Sequence, residues 1–344
     1  MRIAIIGFGG VGKALIKLLI DKKAELLNEG MDLKVNYVIG SKGGVYDSDG
    51  IDLIKFMDYS LKNKNIFEYP CGGSKDVDFQ MLLDYKDVDT VIEMTHTNIT
   101  DGEPGMSHIL KSLQNGFNVI TANKGPILLQ YNKLKKVAKQ NNVQLGIGCT
   151  TGGALPSINS GIIELAGSKI NSIEGILNGT TNFIINEMEN NKTEYAEALK
   201  KAQDIGIAEK NPELDVDGWD TATKLLILTN VLMDENKTLN DVNIEGITKI
   251  KYSDIQEALN EGKKYKLVGR AIRKENGLDI SVKLEKIGPE NPLYVVDGKN
   301  KAVKYNSDTL GDLTIIGGAS GVTPAAASVL RDLININRGF KYII

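Results

Sequence analysis

The chain has 344 residues, of which 25% are charged, and its formal net charge is −3. This length allows two domains with a substantial core. The net charge is small and negative, so it gives no indication of a nucleic-acid or anionic-membrane partner. No apolar run reaches about 18 residues, and residues 1–20 form a strand and an amphipathic helix rather than a signal peptide. The two cysteines, Cys71 and Cys149, argue against a disulfide framework and predict a reducing, cytoplasmic location.

The N-terminus carries a glycine-rich motif in a strand–turn–helix context. Residues 1–6 are an apolar run typical of a buried parallel strand, and a helical pattern follows the motif. Glycines there allow a tight turn and let main-chain N–H groups approach a pyrophosphate at the helix N-terminus. The alternative is a glycine turn that binds nothing. The candidate cofactor contacts are Gly7, Phe8, Gly9, Gly10, Val11 and Gly12.

The end of the second predicted strand bears on cofactor preference. This strand spans residues 33–39, and Ser41 and Lys42 follow it, with no acid before Asp47. An acid at this point holds the ribose 2′-hydroxyl of NAD, whereas a cation accepts the 2′-phosphate of NADP. The pattern favours NADP and leaves NAD possible; a Lys42 that is merely solvated is the alternative.

Two later strands end in polar residues that we expect at the same edge of the sheet. Residues 88–94 and 118–121 read as parallel strands, followed by Thr95 and, three residues after the second strand, Lys124. Ligands of open α/β sheets lie beyond the carboxyl ends of the strands, so both residues are candidate cofactor contacts. A helix over 131–141 and a strand over 143–147 would complete the sheet. Residues 46–85 are predicted to be largely irregular, with a helix near 50–62.

Cys149 lies in a Cys-Thr-Thr sequence within a glycine-rich hinge at residues 148–156. This sequence invites comparison with the nucleophilic cysteine of aldehyde dehydrogenases, whose thiolate needs a neighbouring base. The only histidines are His96 and His108, and none follows the cysteine. We therefore interpret Cys149 as a small buried residue and both histidines as ordinary structural residues.

An acidic loop at residues 205–218 leads into an apolar helix. Asp217 is predicted to cap this helix, and Asp220 and Lys224 are four residues apart and therefore share a face. The pair could be a surface ion pair worth about 0.3–0.5 kcal/mol. Glu209 and Asp215 just upstream favour a binding site for a small zwitterion, in which crowded carboxylates tune a lysine for proton transfer.

The remaining pattern predicts a second domain. A helix (157–167), a strand (169–177) and a helix from residue 178 precede the acidic loop, and short alternating runs begin at 264, including 293–297 and 312–316. A glycine loop containing Gly321 then opens a helix over 324–337. The predicted fold is α/β plus α+β. A Rossmann-type, doubly wound parallel sheet occupies 1–147, with 317–344 returning to it, and a mostly antiparallel sheet occupies 148–316.

Together these motifs resemble the homoserine dehydrogenase family over essentially the whole chain. The matching segments are Gly7–Gly12, residues 121–126, 152–156 and 176–180, and the spaced residues Gly206, Glu209, Pro212, Asp215, Gly218, Asp220 and Lys224. The family interconverts L-aspartate 4-semialdehyde and L-homoserine with a nicotinamide cofactor, on the path to threonine, methionine and isoleucine.

The resemblance also implies roles for individual residues. Lys224 would donate the proton, with Asp220 orienting it, while Glu209 and Asp215 would hold the substrate's α-ammonium. Lys124 would lie between cofactor and substrate. The resemblance further implies a homodimer formed through the 264–316 sheet, and a short form from which feedback by threonine through a C-terminal domain is not expected. The alternatives are another amino-acid dehydrogenase of this architecture and a non-catalytic dinucleotide-binding sensor.

One implied feature lacks a key residue. The family commonly binds a monovalent cation through one carboxylate and alternating main-chain carbonyls, and the carboxylate position here is Gly148. Only the carbonyls of Thr151, Gly153 and Leu155 remain as candidate metal ligands. The chain also has Asn211 where the family usually has Asp, and Ala319 where glycine is common.

Overall fold

The structure is a computed structural model that describes residues 1–343. The chain forms two compact units, one comprising residues 1–150 and the segment from Gly321 onward, the other comprising Thr151–Ser320. Among the described residues, no helix combines the length and the apolar character needed to cross a membrane.

Helices and strands alternate through most of the chain. The helices are α1 (Gly10–Asp21), α2 (Lys23–Asn28), α3 (Leu53–Lys62), α4 (Phe79–Tyr85), α5 (Gly105–Gln114), α6 (Lys124–Gln140), α7 (Cys149–Gly152), α8 (Ser157–Ile163), α9 (Gly179–Asn191), α10 (Tyr195–Asp204), α11 (Glu213–Val216), α12 (Trp219–Leu232), α13 (Tyr252–Asn260) and α14 (Val322–Asn337). The strands are β1 (Arg2–Ile6), β2 (Lys34–Gly40), β3 (Gly43–Tyr46), β4 (Gly73–Ser74), β5 (Thr90–Glu93), β6 (Asn118–Thr121), β7 (Leu145–Gly146), β8 (Ile170–Ile176), β9 (Asn243–Ile244), β10 (Lys264–Lys274), β11 (Gly277–Ile287), β12 (Lys301–Ser307) and β13 (Asp312–Gly317). Short 3₁₀ helices span Ile66–Glu68, Leu239–Asp241 and Pro292–Val295.

The first unit is built on a sheet with the strand order β4-β3-β2-β1-β5-β6-β7. The run from β2 to β7 is parallel, and β3 and β4 add antiparallel strands at one edge. Apolar side chains of β1 and β5 are buried, as expected for strands covered on both faces. The strand order reverses direction at β1, so the crevice beyond its carboxyl end is where such sheets bind ligands. The predicted Rossmann-type sheet is confirmed.

The segment between β2 and α4 is more regular than the sequence predicted. Residues 43–46 fold back on β2, where Tyr37 and Tyr46 stack with ring centroids 4.5 Å apart. Both hydroxyls donate to the Asp87 carboxylate, at 2.9 and 2.8 Å. These elements were missed because strand pairing and ring packing stabilise them, whereas their short, glycine-containing sequences carry no periodicity.

The second unit contains a sheet, built by residues 151–320, with the order β13-β12-β8-β10-β11-β9. The pairing is antiparallel except for the short β9, so the predicted mostly antiparallel sheet is confirmed. Helix α12 packs on one face at Gly269, where an added Cβ would lie 3.3 Å from Leu225 and Thr221. Glycine at this point lets the helix approach the sheet closely.

One predicted strand was wrong, and one predicted helix is preceded by a segment that the sequence did not reveal. Residues 293–297 do not form a strand, because Pro292–Val295 is a 3₁₀ helix that begins at the Asn291 cap, and β12, which the sequence did not reveal, takes the place in the sheet. Helix α6 has non-helical backbone at Gln130 (φ −144°, ψ 27°), so the predicted helix over 131–141 is present, and a first segment from Lys124 that the sequence did not reveal precedes it. The Asn123 side chain accepts from the N–H of Gly125 and caps this first segment. Lys124 is therefore the first residue of a helix.

Candidate active site

The turn between β1 and α1 forms a cradle in which glycine is required at different positions for different steric reasons. Gly7 has φ +101°, and an added Cβ would lie 2.5 Å from the Met94 carbonyl oxygen. An added Cβ at Gly12 would lie 2.3 Å from the Gly7 carbonyl oxygen. At Gly9, by contrast, no heavy atom of the described residues lies within 4 Å of the added Cβ. Gly7 and Gly12 thus close the turn, and Gly9 faces open space.

The start of α1 is prepared for an anion. Gly9 is its N-cap, and among the described residues no side chain satisfies the first N–H groups of the helix. These groups and the helix dipole favour a phosphate at this position. Gly10 and Val11 form the first turn, and an added Cβ at Gly10 would lie 2.9 Å from Val322 of α14. Gly321, with φ +117°, directly precedes α14, which packs against α1.

A cavity of about 870 Å³ lies at the carboxyl edge of this sheet. It is large enough for a dinucleotide portion of a cofactor. Lys42 and Lys64 give it two positive charges, and Asp78 gives it a negative one. Its lining includes Gly7, Phe8, Gly9, Ser41, Lys42, Lys64, Asp78, Phe79, Thr95, His96 and His108. The residues therefore fit a dinucleotide, and both histidines lie at the cavity wall.

Beneath the cavity lies the fully buried Glu93, which the sequence analysis missed. Its carboxylate accepts from the Thr95 N–H at 2.9 Å, from the Thr95 hydroxyl, and from the Thr121 hydroxyl at 3.0 Å. Burial acts to raise the pKa of Glu93, but the His108 ring, whose Nδ1 lies 4.0 Å from the carboxylate, and the hydrogen bonds from Thr95 and Thr121 outweigh it and hold the pKa below its ordinary value. The signal for this residue was an acid close to the carboxyl end of the predicted strand 88–94, after the apolar Val91 and Ile92.

Glu93 also ties the ends of β5 and β6 together. Thr121 Oγ1 accepts from the Asn123 N–H at 2.9 Å, and Asn123 Nδ2 donates to the His96 carbonyl at 3.2 Å. Since Asn123 caps α6, this network fixes where the helix begins and hence the position of Lys124, its first residue. Thr95 and Lys124, both predicted at this sheet edge, are thus linked through buried hydrogen bonds, although Lys124 is not part of the cavity lining.

In the second unit, Lys224 and Asp220 lie one turn apart on α12. The Lys224 ammonium donates to Asp220 Oδ2 at 2.5 Å and to the Leu177 carbonyl at 3.0 Å, and both side chains are only 16% and 13% exposed. A pair this buried differs from the exposed pair that the sequence left as an alternative. The ammonium is held in one place by a charge and a main-chain dipole.

Asn178 connects this pair to a second carboxylate. Its Nδ2 donates to Asp215 Oδ1 at 2.6 Å and to Asp220 Oδ2 at 2.9 Å, while its Oδ1 accepts from the Thr181 N–H and caps α9. Burial, followed by the charge of Asp220, raises the pKa of Asp215 above its ordinary value. Asn178 entered the sequence prediction only as part of the segment 176–180, and the residues around it gave no indication of a contact with Asp215.

Two other residues of the acidic loop are placed differently. Glu209 is exposed, and within residues 1–343 its carboxylate makes no hydrogen bond or ion pair with the Lys224 cluster. The predicted cap at Asp217 is wrong, because Asp217 is the C-cap of α11 and Gly218 is the N-cap of α12, with φ +89°. This left-handed backbone, which glycine adopts readily, lets one helix turn directly into the next.

The loop predicted to bind a monovalent cation has other partners. The Leu155 carbonyl accepts from the Ser157 N–H at 2.8 Å, and the Gly152 carbonyl accepts from the Lys301 ammonium at 2.8 Å. Position 148 has no side chain to bind a cation, and its N–H donates to Asp332 at 2.7 Å. Among the described residues, no three His, Cys, Asp or Glu side chains cluster as metal ligands. With no carboxylate side chain at position 148 and the Lys301 ammonium already bound to the loop at Gly152, the carbonyls of Thr151, Gly153 and Leu155 do not fit such a cation.

Cys149 is buried, as interpreted, and its thiol donates to the Ala325 carbonyl at 3.5 Å.

The Rossmann-type sheet with its cofactor cradle, and the second unit with its buried lysine and carboxylates, define a nicotinamide-dependent oxidoreductase.

Comparison with known proteins gives the particular family. A family model described as "Homoserine dehydrogenase, NAD binding domain" matches residues 7–147, and one described as "Homoserine dehydrogenase" matches residues 156–334. The homoserine dehydrogenase of Methanocaldococcus jannaschii is 38% identical, covering 99% of this chain and 100% of the relative. The NAD(+)-dependent homoserine dehydrogenase of Pseudomonas canavaninivorans is 35% identical, covering 98% and 96%. The chain belongs to the homoserine dehydrogenase family.

Solved structures agree with this assignment. The putative homoserine dehydrogenase of Archaeoglobus fulgidus superposes with a TM-score of 0.86 at 29% identity, covering 98% of this chain and 99% of that one. A hyperthermophilic archaeal homoserine dehydrogenase mutant in complex with NADPH has a TM-score of 0.84 at 25% identity, covering 100% and 99%. The predicted family and fold class are confirmed, and the cofactor is a nicotinamide dinucleotide.

Proposed function

We propose that this chain reversibly reduces L-aspartate 4-semialdehyde to L-homoserine, and that Lys224 is the proton donor. The observation that carries this proposal is the half-buried ammonium of Lys224, fixed by Asp220 and by the Leu177 carbonyl. It supplies a proton beside carboxylates that suit an amino-acid substrate. The activity would serve the synthesis of threonine, methionine and isoleucine.

The chemistry of carbonyl reduction assigns the role of Lys224. The nicotinamide, when bound, supplies the reducing equivalent. Negative charge then develops on the aldehyde oxygen, and a nearby ammonium stabilises this charge and donates a proton to it. Asp220 keeps the ammonium in position through the bond at 2.5 Å and so acts as a positioning residue.

Substrate recognition is assigned to the carboxylates and to Lys124. Asp215 and Asp220 bring two negative charges to one ammonium, so the cluster favours a cationic group such as the substrate's α-ammonium. Burial, followed by repulsion from Asp220, raises the pKa of Asp215, and binding that group would offset the repulsion. Glu209, which is exposed, is proposed as the second ligand of the α-ammonium. Lys124 is proposed to contact substrate and cofactor.

For the cofactor, we propose a preference for NADP over NAD. Lys42 and Lys64 both line the cavity near Ser41, so two ammonium groups are available to a 2′-phosphate. Lys42→Ala and Lys64→Ala should each raise the KM for NADPH by about tenfold, the usual effect of losing one charge-assisted bond, and barely change that for NADH. Exposed Lys17 provides a control substitution. Equal effects on both cofactors would contradict the proposed preference.

We also propose a cytoplasmic homodimer formed through the 264–316 sheet. Its support is that the chain belongs to the homoserine dehydrogenase family, for which we expect a dimer formed through this sheet. Light scattering of the wild type should give twice the chain mass of 37.4 kDa. A monomer at micromolar concentration would contradict the dimer.

The function itself is tested by turnover. Wild-type protein should oxidise NADPH when aspartate semialdehyde is added, and should reduce NADP when homoserine is added. Turnover of a different semialdehyde with none of this one would favour another amino-acid dehydrogenase. Cofactor binding without any turnover, in folded protein, would favour a dinucleotide-binding sensor.

A further inference from the structure

Lys301 is a buried lysine outside the site described above. It is the first residue of β12, and only 6% of it is exposed. Side chains two residues apart in a strand share a face, so Lys301, Val303 and Tyr305 point the same way. All three are buried, and Lys301 and Tyr305 reach the loop that links the two units along the chain.

This strand holds the loop of residues 151–157 at two points. The Lys301 ammonium donates to the Gly152 carbonyl at 2.8 Å, and the Tyr305 hydroxyl donates to the Ser157 carbonyl at 2.6 Å. The loop is also bonded to itself, since the Leu155 N–H donates to the Gly152 carbonyl at 3.2 Å. Both acceptor positions of the Gly152 oxygen are therefore occupied.

A buried ammonium is costly unless oxygen atoms replace its water. The Gly152 carbonyl supplies such an oxygen here, and a main-chain carbonyl is the same kind of ligand that a loop of this sort offers a monovalent metal cation. An ammonium carries the same single charge. It also disfavours a second cation beside it, because like charges repel. The ammonium lies close to Gly153, where an added Cβ would be 3.9 Å from Lys301 Nζ.

We propose that the ammonium of Lys301 is a built-in replacement for the monovalent cation of this loop. The absence of a carboxylate at Gly148 fits this role, because a cation that is covalently part of the chain needs no acidic ligand to retain it. The Gly148 N–H instead bonds Asp332. The loop of this chain is therefore ordered without sodium or potassium, whatever the catalytic role of Lys224.

The test compares thermal unfolding in sodium, potassium, ammonium and choline chloride at equal ionic strength. Wild-type Tm should agree within about 1 °C among the four salts, because no site selects an ion by size. Lys301→Met should unfold at least about 5 °C lower in every salt, since the Gly152 oxygen loses its charged donor in a buried site. Lys301→Ala should lose as much in choline and regain part of it in sodium, potassium or ammonium.

Tyr305→Phe is the matched control. It removes the second attachment of β12 to the same loop but no charge, so its Tm should fall equally in all four salts. Wild-type protein that sodium or potassium stabilises saturably would overturn the proposal, as would Lys301→Met unfolding at the wild-type temperature. An ion response of Lys301→Ala no larger than that of the wild type would also overturn it.

A direct measurement covers variants that fail to fold. Adding wild-type protein should broaden the sodium NMR line by the same amount whether or not potassium is present in large excess. Broadening that potassium displaces would show a monovalent cation site in the wild type and contradict the replacement by Lys301.

Discussion

The cofactor cradle of the first unit and the Lys224 cluster of the second unit recognise ligands in opposite ways. The cradle is made of main-chain N–H groups and of space, since Gly9 faces an opening and no side chain of the described residues caps α1. The cluster is made of side chains, in which Asn178 bridges Asp215 and Asp220 across about 40 positions of sequence. A site formed by main-chain groups around an open space can therefore be predicted from a local sequence motif. A site formed by side chains depends on the packing of elements that are distant in the sequence.

Glycine substitutions should separate the two roles within the cradle and have the largest effect. Gly12→Ala should cost several kcal/mol of stability and abolish dinucleotide binding, because its Cβ would lie 2.3 Å from the Gly7 carbonyl oxygen. Gly9→Ala should fold with wild-type stability but bind NADPH at least about tenfold more weakly, because its methyl group enters the ligand's space. Thermal unfolding and fluorescence titration measure the two effects. Equal stability losses in both variants would contradict the division of roles.

Replacing Asn178 should break the side-chain site without unfolding it. Asn178→Ser keeps an N-cap acceptor for α9 but loses the amide that both carboxylates share. We expect kcat/KM to fall by about 10- to 100-fold, the effect of losing one or two charge-assisted hydrogen bonds.

The pH profile of Asn178→Ser gives a second readout. The Asn178 hydrogen bond lowers the pKa of Asp215, so its loss raises that pKa further, and the acid limb of kcat/KM should move to higher pH. A lower kcat/KM with an unmoved acid limb would mean that Asn178 acts only through the fold. Asn191, an amide near the end of α9, provides a control substitution.

Glu93→Gln should have a smaller effect that depends on pH. Because the folded-state pKa of Glu93 lies below its ordinary value of 4.5, ionised Glu93 stabilises the fold above that pH, and the contribution is lost as pH falls through the lower folded-state pKa. Glu93→Gln should therefore cost about 1–3 kcal/mol at neutral pH, and the difference should shrink in acid. Chemical denaturation at several pH values measures it. A constant difference across the acid range would contradict the charged state of Glu93.

The parts of the fold that follow from local pattern were predictable. An apolar run identifies buried strands such as β1 and β5. Regular spacing identifies the glycine motif and the apolar face of α12. Strand β12 was not found, because its alternating Lys301, Val303 and Tyr305 include a lysine whose burial depends on the carbonyl of Gly152. Likewise, Asp217 was taken for a cap because the left-handed backbone of Gly218 cannot be read from residue types alone.

The candidate site shows the same limit. Asp220 and Lys224 were paired from their spacing, and the structure brings them together at 2.5 Å with Asp215 nearby. Asn178 and Glu93 were not singled out, since their partners are set by tertiary contacts. Glu209 was grouped with the cluster from its spacing in the loop, but its side chain is exposed.

The central claim is that Lys224 donates the proton, and steady-state turnover of aspartate semialdehyde by Lys224→Ala tests it most directly. The matched control is Lys200→Ala, which removes the exposed lysine of another pair four residues apart on a helix, Lys200–Asp204. Loss of a general acid predicts that kcat falls by about 10²-fold or more in Lys224→Ala, with cofactor binding intact and Lys200→Ala unchanged. Wild-type kcat in Lys224→Ala would contradict the account and move the proton donor elsewhere, with Lys124 the next residue to replace.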